Sequence, residues 1–205
     1  MTTEQCPGIS FNCPPSRRNA QFDSARARMD DQGGVELLGL HSPPVVTLRC
    51  TGKLLARLRV KPATDERQPT SRLGDWHANL LYLPGGQVII AVNDLTLLAV
   101  LIPASPGKAF VPRFREALPA ILDRLGVAPH VIEREVEATG QVQFAATRSR
   151  VVLGSMNEFA FLLGARREWT GDLVHESLRL ADTPCGPLKM GFPGDVTVKL
   201  LGAGE

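Results

Sequence analysis

The sequence predicts an α+β domain: a mainly antiparallel sheet with about three helices packed on one face, behind a flexible N-terminal arm. Three observations carry that expectation. Apolar runs between residues 76 and 102 are joined by connections too short for crossovers, so they form an antiparallel meander. Beyond Pro103 the apolar spacing changes to three and four, the helical period. Before residue 44, turn formers dominate and apolar residues rarely recur at either period.

Residues 1–43 contain Cys-Pro-Gly, Cys-Pro-Pro, Asp-Asp-Gln-Gly-Gly and Ser-Pro-Pro. Such a segment buries too little surface to offset its ordering entropy, and only 35–40 reads as a short strand or turn. A reading frame that starts later is the other account of the arm. The folded unit is expected over 44–168, with 169–205 as a C-terminal extension packing on it.

Val45 to Cys50 is β-branched and apolar and reads as a strand. Thr51 is placed to cap a short helix, Gly52 to Leu58, with Leu54, Leu55 and Leu58 on one face. Residues 61–75 hold two prolines and several charges and read as a loop. Trp76 to Leu83 is a strand, Pro84-Gly85-Gly86 a tight turn, and Gln87 to Val92 its hairpin partner. Asn93-Asp94 turns the chain into a third strand, Leu95 to Ile102, ended by Pro103.

Phe110, Phe114, Leu118, Ile121, Leu122 and Leu125 then mark an amphipathic helix. Pro112 fits its first turn, whereas Pro119 is expected to kink it or end it early. Pro129 opens a second helix up to Gly140. Gln141 to Thr147 alternates as a strand. Arg150 to Arg166 is the third clear helix, apolar at Val152, Met156, Phe159 and Leu163. In the tail, 196–201 fits strand or helix.

Composition excludes several classes. The chain has 205 residues, 43% apolar and 21% charged, which suits a globular core rather than a disordered chain. Uncharged apolar runs such as Val88 to Val92 are far short of a membrane span, so no membrane partner is expected. A net charge of +2 sets up no strong field for nucleic acid. Cys6, Cys13, Cys50 and Cys185 show no CxxC spacing, which argues against zinc and for four reduced thiols in a cytoplasmic protein. His41, His77, His130 and His175 lack metal-ligand spacing, and no nucleotide-binding glycine loop appears. No metal and no cofactor is therefore expected.

Four constellations are worth weighing. Trp76, His77 and Asn79 follow a long loop, where His77 suits a base or ligand and Asn79 an orienting group. The plainer account has Trp76 plug the core while His77 bonds a backbone carbonyl. Asp94 is a carboxylate for catalysis or a turn residue. Arg148, Ser149 and Arg150 enter a helix, where free amides and two guanidiniums suit a phosphate or carboxylate. The plainer account has Thr147 or Ser149 cap the helix and leaves the arginines in water. Ser155, Asn157 and Glu158, beside Gly154, put polar groups and a helix-weakening glycine inside that helix, which suggests close packing or a pocket.

Four motifs together resemble a known family. These are Leu48-Arg49-Cys50-Thr51-Gly52-Lys53-Leu54-Leu55, Gly74-Asp75-Trp76-His77-Ala78-Asn79-Leu80, Val92-Asn93-Asp94-Leu95-Thr96-Leu97, and the run Thr147-Arg148-Ser149-Arg150 through Gly154-Ser155-Met156-Asn157-Glu158-Phe159. The combination is similar to a bacterial domain family of unknown function, over about residues 45–165. The resemblance implies a stand-alone intracellular domain and transfers no activity and no catalytic residues.

On these grounds the chain reads as a non-catalytic binding or regulatory module with a protein partner. One alternative is a nucleic-acid or phosphate-ligand protein using Arg148 and Arg150. Another is an enzyme whose pocket gathers His77, Asn79, Asp94, Asn157 and Glu158.

Overall fold

A computed structural model of the chain describes residues 45–64, 68–165 and 171–202. The predicted arm, 1–43, lies outside the described residues.

Five strands form one mixed sheet in the order β4-β3-β2-β1-β5. They are β1 (Val45–Cys50), β2 (Trp76–Leu83), β3 (Gly86–Asn93), β4 (Ala99–Pro103) and β5 (Gln141–Ala146). The meander β2–β3–β4 is antiparallel, as its short connections require. The sheet as a whole is not mainly antiparallel, because β1 runs parallel to both β2 and β5. Each parallel pair has the chain length a crossover needs. Residues 51–75, including α1 (Gly52–Leu58), carry β1 to β2, and two helices precede β5. All six residues of β1 are buried, the unbroken burial of a strand covered on both faces.

Helices cover both faces, which corrects the expectation of about three on one face. Leu48, Trp76, Ala78, Ile89, Val100 and Ile102 pack against α2 (Phe110–Arg124) and α3 (Pro129–Ala138). Leu81, Val88, Ile90, Val92, Ala99 and Leu101 pack against Val152, Met156, Phe159 and Leu163 of α4 (Arg150–Gly164). Successive strand residues point to opposite faces, so runs such as Val88–Val92 feed two cores at once.

α5 (Leu173–Ala181) packs on the outer strand β4, where Leu101 donates its backbone N–H to Ser177 Oγ at 2.9 Å. α6 (Pro193–Gly202) resolves the strand-or-helix choice in the tail and places Leu201 in the first core. Pro119 lies within α2 and does not end it. The missing N–H is outweighed by Phe114, Leu118, Ile121 and Leu122, all anchored in the core on one side of that helix. Residues 95–98 form a turn rather than the start of β4, because Asn93 Oδ1 accepts from Leu95 N, Thr96 N and Thr96 Oγ1.

Candidate functional site

A buried charged residue near the end of a mostly apolar strand is the first clue to the site. Arg49 lies opposite His77 across the parallel β1–β2 pair, and His77 lies opposite Val92. Val92 belongs to the core under α4, so His77 faces the α4 side of the sheet. Arg49 is 2% exposed and needs a counter-charge. Asp75, just before β2, supplies it: Oδ2 accepts from Arg49 Nε at 2.8 Å, and Nη2 stands 2.7 Å away.

The neighbouring strand ends add the rest. Asp94 follows β3, its N–H bonded to the Asp75 carbonyl at 3.0 Å, and its Oδ1 lies 3.4 Å from His77 Nε2. Arg148 follows β5 and brings Nη2 to 3.6 Å from the same Asp75 oxygen that Arg49 holds. Segments at the ends of four strands thus converge on two arginines, two aspartates and one imidazole. Only Asp94 and Arg148 reach solvent appreciably, at 32% and 64% side-chain exposure.

His77 is fully buried, and neither ring nitrogen makes a hydrogen bond among the described residues. Burial pushes its pKa below the usual 6.5, Asp94 pulls it up, and Arg49 adds to the lowering. The imidazole is therefore neutral at neutral pH. Asp75 Oδ1 is likewise buried without a hydrogen bond.

The frame around these residues is tightly bonded. Asn93 Nδ2 donates to the Leu73 carbonyl at 2.7 Å, which ties the turn before Asp94 to the loop before Asp75. That loop is gripped in turn by Glu135 of α3, which accepts from Ser71 Oγ, Arg72 N and Leu73 N. The Arg72 guanidinium donates to the Leu200 and Leu201 carbonyls at the end of α6. Gly74 holds φ +70°, a conformation that glycine adopts without strain.

Of the residues singled out from sequence, the fold brings together His77, Asp94 and Arg148. Trp76 points to the opposite face, its ring edge-on to Phe114 at 5.1 Å. Asn79 Oδ1 accepts from Thr51 Oγ1 at 2.8 Å, so Thr51 spends its hydroxyl on β2 and makes no side-chain cap for α1. Ser149 does cap α4, accepting from Val152 N, and Arg150 is exposed on the first turn. Ser155 is buried and donates to the Val151 carbonyl. Asn157 and Glu158 are exposed on α4, and the Glu158 charge acts on the Cys185 thiol. No hydrogen bond or ion pair joins Glu158 to His77 among the described residues.

Sequence reasoning missed Arg49, Asp75 and Glu135. Arg49 had a signal, a charge within a mostly apolar strand. Glu135 had none, since its helix shows alternating charges throughout. A groove of about 420 Å³ lies away from the cluster, between β4, α2 and α5. No helix among the described residues is long and apolar enough to cross a membrane.

Comparison with protein families matches the chain to the family described as Domain of unknown function (DUF6933), over residues 47–196. The matched span contains Arg49, Asp75, His77, Asp94 and Arg148, and runs beyond the four motifs into α5 and α6. Neither curated proteins nor solved structures give a match.

Proposed function

The chain belongs to that family of unknown function, and from this premise we propose that it is a non-catalytic binding module for a small anionic ligand. One observation carries the reading. Arg49 holds Asp75 Oδ2, Arg148 stands 3.6 Å from the same oxygen, and Arg148 and Asp94 are the members of the network with appreciable solvent exposure. Arg148 offers a planar fork of donors suited to a carboxylate or phosphate. Asp94, the other partly exposed charge of the network, favours a ligand that also carries a hydrogen-bond donor. His77, the group with base chemistry, is enclosed and faces no hydroxyl or thiol nucleophile within hydrogen-bond distance among the described residues. The cysteine pattern supports a cytoplasmic setting.

The test is an amide-resonance titration with inorganic phosphate. Shifts concentrated at Arg148, Asp94 and His77, and lost in Arg148→Ala, support the reading. A titration without shifts there, or one unchanged in Arg148→Ala, overturns it. So does any turnover that disappears in His77→Gln.

A further inference from the structure

The solvent side of α4 carries a pattern that the anion site does not use. Arg150, Gly154 and Glu158 follow one another at intervals of four along an exposed face. Such a row is the ridge that interdigitates in the commonest class of helix packing. Gly154 sits at its midpoint, and a Cβ placed there would meet nothing within 4 Å. A glycine in an exposed helix interior is unfavourable for the helix alone. Val151 and Phe161 flank the row at 56% and 74% exposure. The helix thus presents a cation, a gap, an anion and two unburied apolar side chains to solvent, while its opposite side fills the core.

We propose that this face docks a second copy of the chain, the two α4 helices crossing antiparallel about a two-fold axis at Gly154. The charge order selects this occupant. In an antiparallel pair centred on Gly154, residue 150 of one copy meets residue 158 of the other, so Arg150 lies against Glu158 twice. A two-fold contact must be self-complementary in this way. The missing Cβ lets the two backbones approach at the crossing point. Phe161 then lands on the partner's helix entry and leaves water. None of these residues contributes to the buried network around Asp75, so this surface stands independently of the anion-binding reading.

Sedimentation velocity of the full chain, without added ligand, tests the proposal. The expected result is a species of twice 22.2 kDa in the micromolar range. Arg150→Glu and Glu158→Arg each set like charges face to face and are expected to weaken the dimer by about tenfold or more. The double variant restores opposite charges and the dimer. These positions are exposed, and circular dichroism confirms that each variant folds. A wild-type chain that stays monomeric throughout overturns the proposal and leaves the face to a different molecule. A dimer indifferent to both single reversals overturns it, as does a double variant as weak as the singles.

Discussion

Arg49 and Asp75 form a nearly solvent-free ion pair, with two guanidinium nitrogens within 2.8 Å of one carboxylate oxygen. The pair joins the next-to-last residue of β1 to the residue before β2. Removing one partner strands a buried charge, which costs about 3–5 kcal/mol. Asp75→Ala is therefore expected to lose about that much in denaturant unfolding. Arg49→Leu combined with Asp75→Leu is expected to lose less than Asp75→Ala alone, because no charge is left unpaired. A double variant weaker than the single one would assign Arg49 a role beyond this pair.

The buried imidazole makes stability depend on pH. His77 has a folded pKa below 6.5, so below that pH the unfolded chain binds the proton and the folded chain does not. Stability from the neutral ring is present above about pH 6.5 and falls as pH drops, by at most about 1.4 kcal/mol per unit. Unfolding midpoints measured from neutral pH down to pH 5 are expected to decline more steeply for the wild type than for His77→Gln. Parallel curves would show that His77 is not shielded from water.

Two thiols are predicted to be inert. Burial pushes the Cys50 thiol up to about 12 and the Cys185 thiol up to about 11, the latter with help from Glu158. The thiolate is the reactive form. Iodoacetamide at pH 8 is expected to label neither residue in the native protein and both after denaturation, as peptide mass mapping would read. Native labelling of Cys50 would mean that the β1 end opens readily.

Asn93 is the hinge pin of the site. Its amide serves the Leu73 and Asp75 carbonyls on one side and Leu95 N, Thr96 N and Thr96 Oγ1 on the other. Asn93→Ala leaves buried partners without bonds, at about 1–3 kcal/mol. It should also broaden the Asp94 and His77 resonances, since the turn holding Asp94 loses its anchor. Unchanged resonances would mean that the Asp75–Asp94 backbone bond suffices.

Much of the fold was legible, element by element. The meander was readable because Pro84-Gly85-Gly86 and Asn93-Asp94 punctuate apolar runs, and turn chemistry is local. The α4 start was readable from Ser149, a strong capping residue. The site was legible only in part. His77 and Asp94 stood out at a loop and a turn, and Arg148 at a helix entry. Arg49 and Asp75 did not, because their meaning is their pairing across 26 residues of chain. Trp76 and His77, adjacent in sequence, parted to opposite cores because strand neighbours face opposite ways.

What the sequence by itself determined is the set of elements: turns, caps and apolar periods, each specified within a few residues. What the tertiary structure alone decided is the parallel placement of β1 between β2 and β5, the covering of both sheet faces, and the meeting of Arg49, Asp75, His77, Asp94 and Arg148. The physical reason is that burial and electrostatic pairing act through space. An apolar run states that it will be covered, and a buried charge states that it needs a partner, but neither names the segment that supplies it.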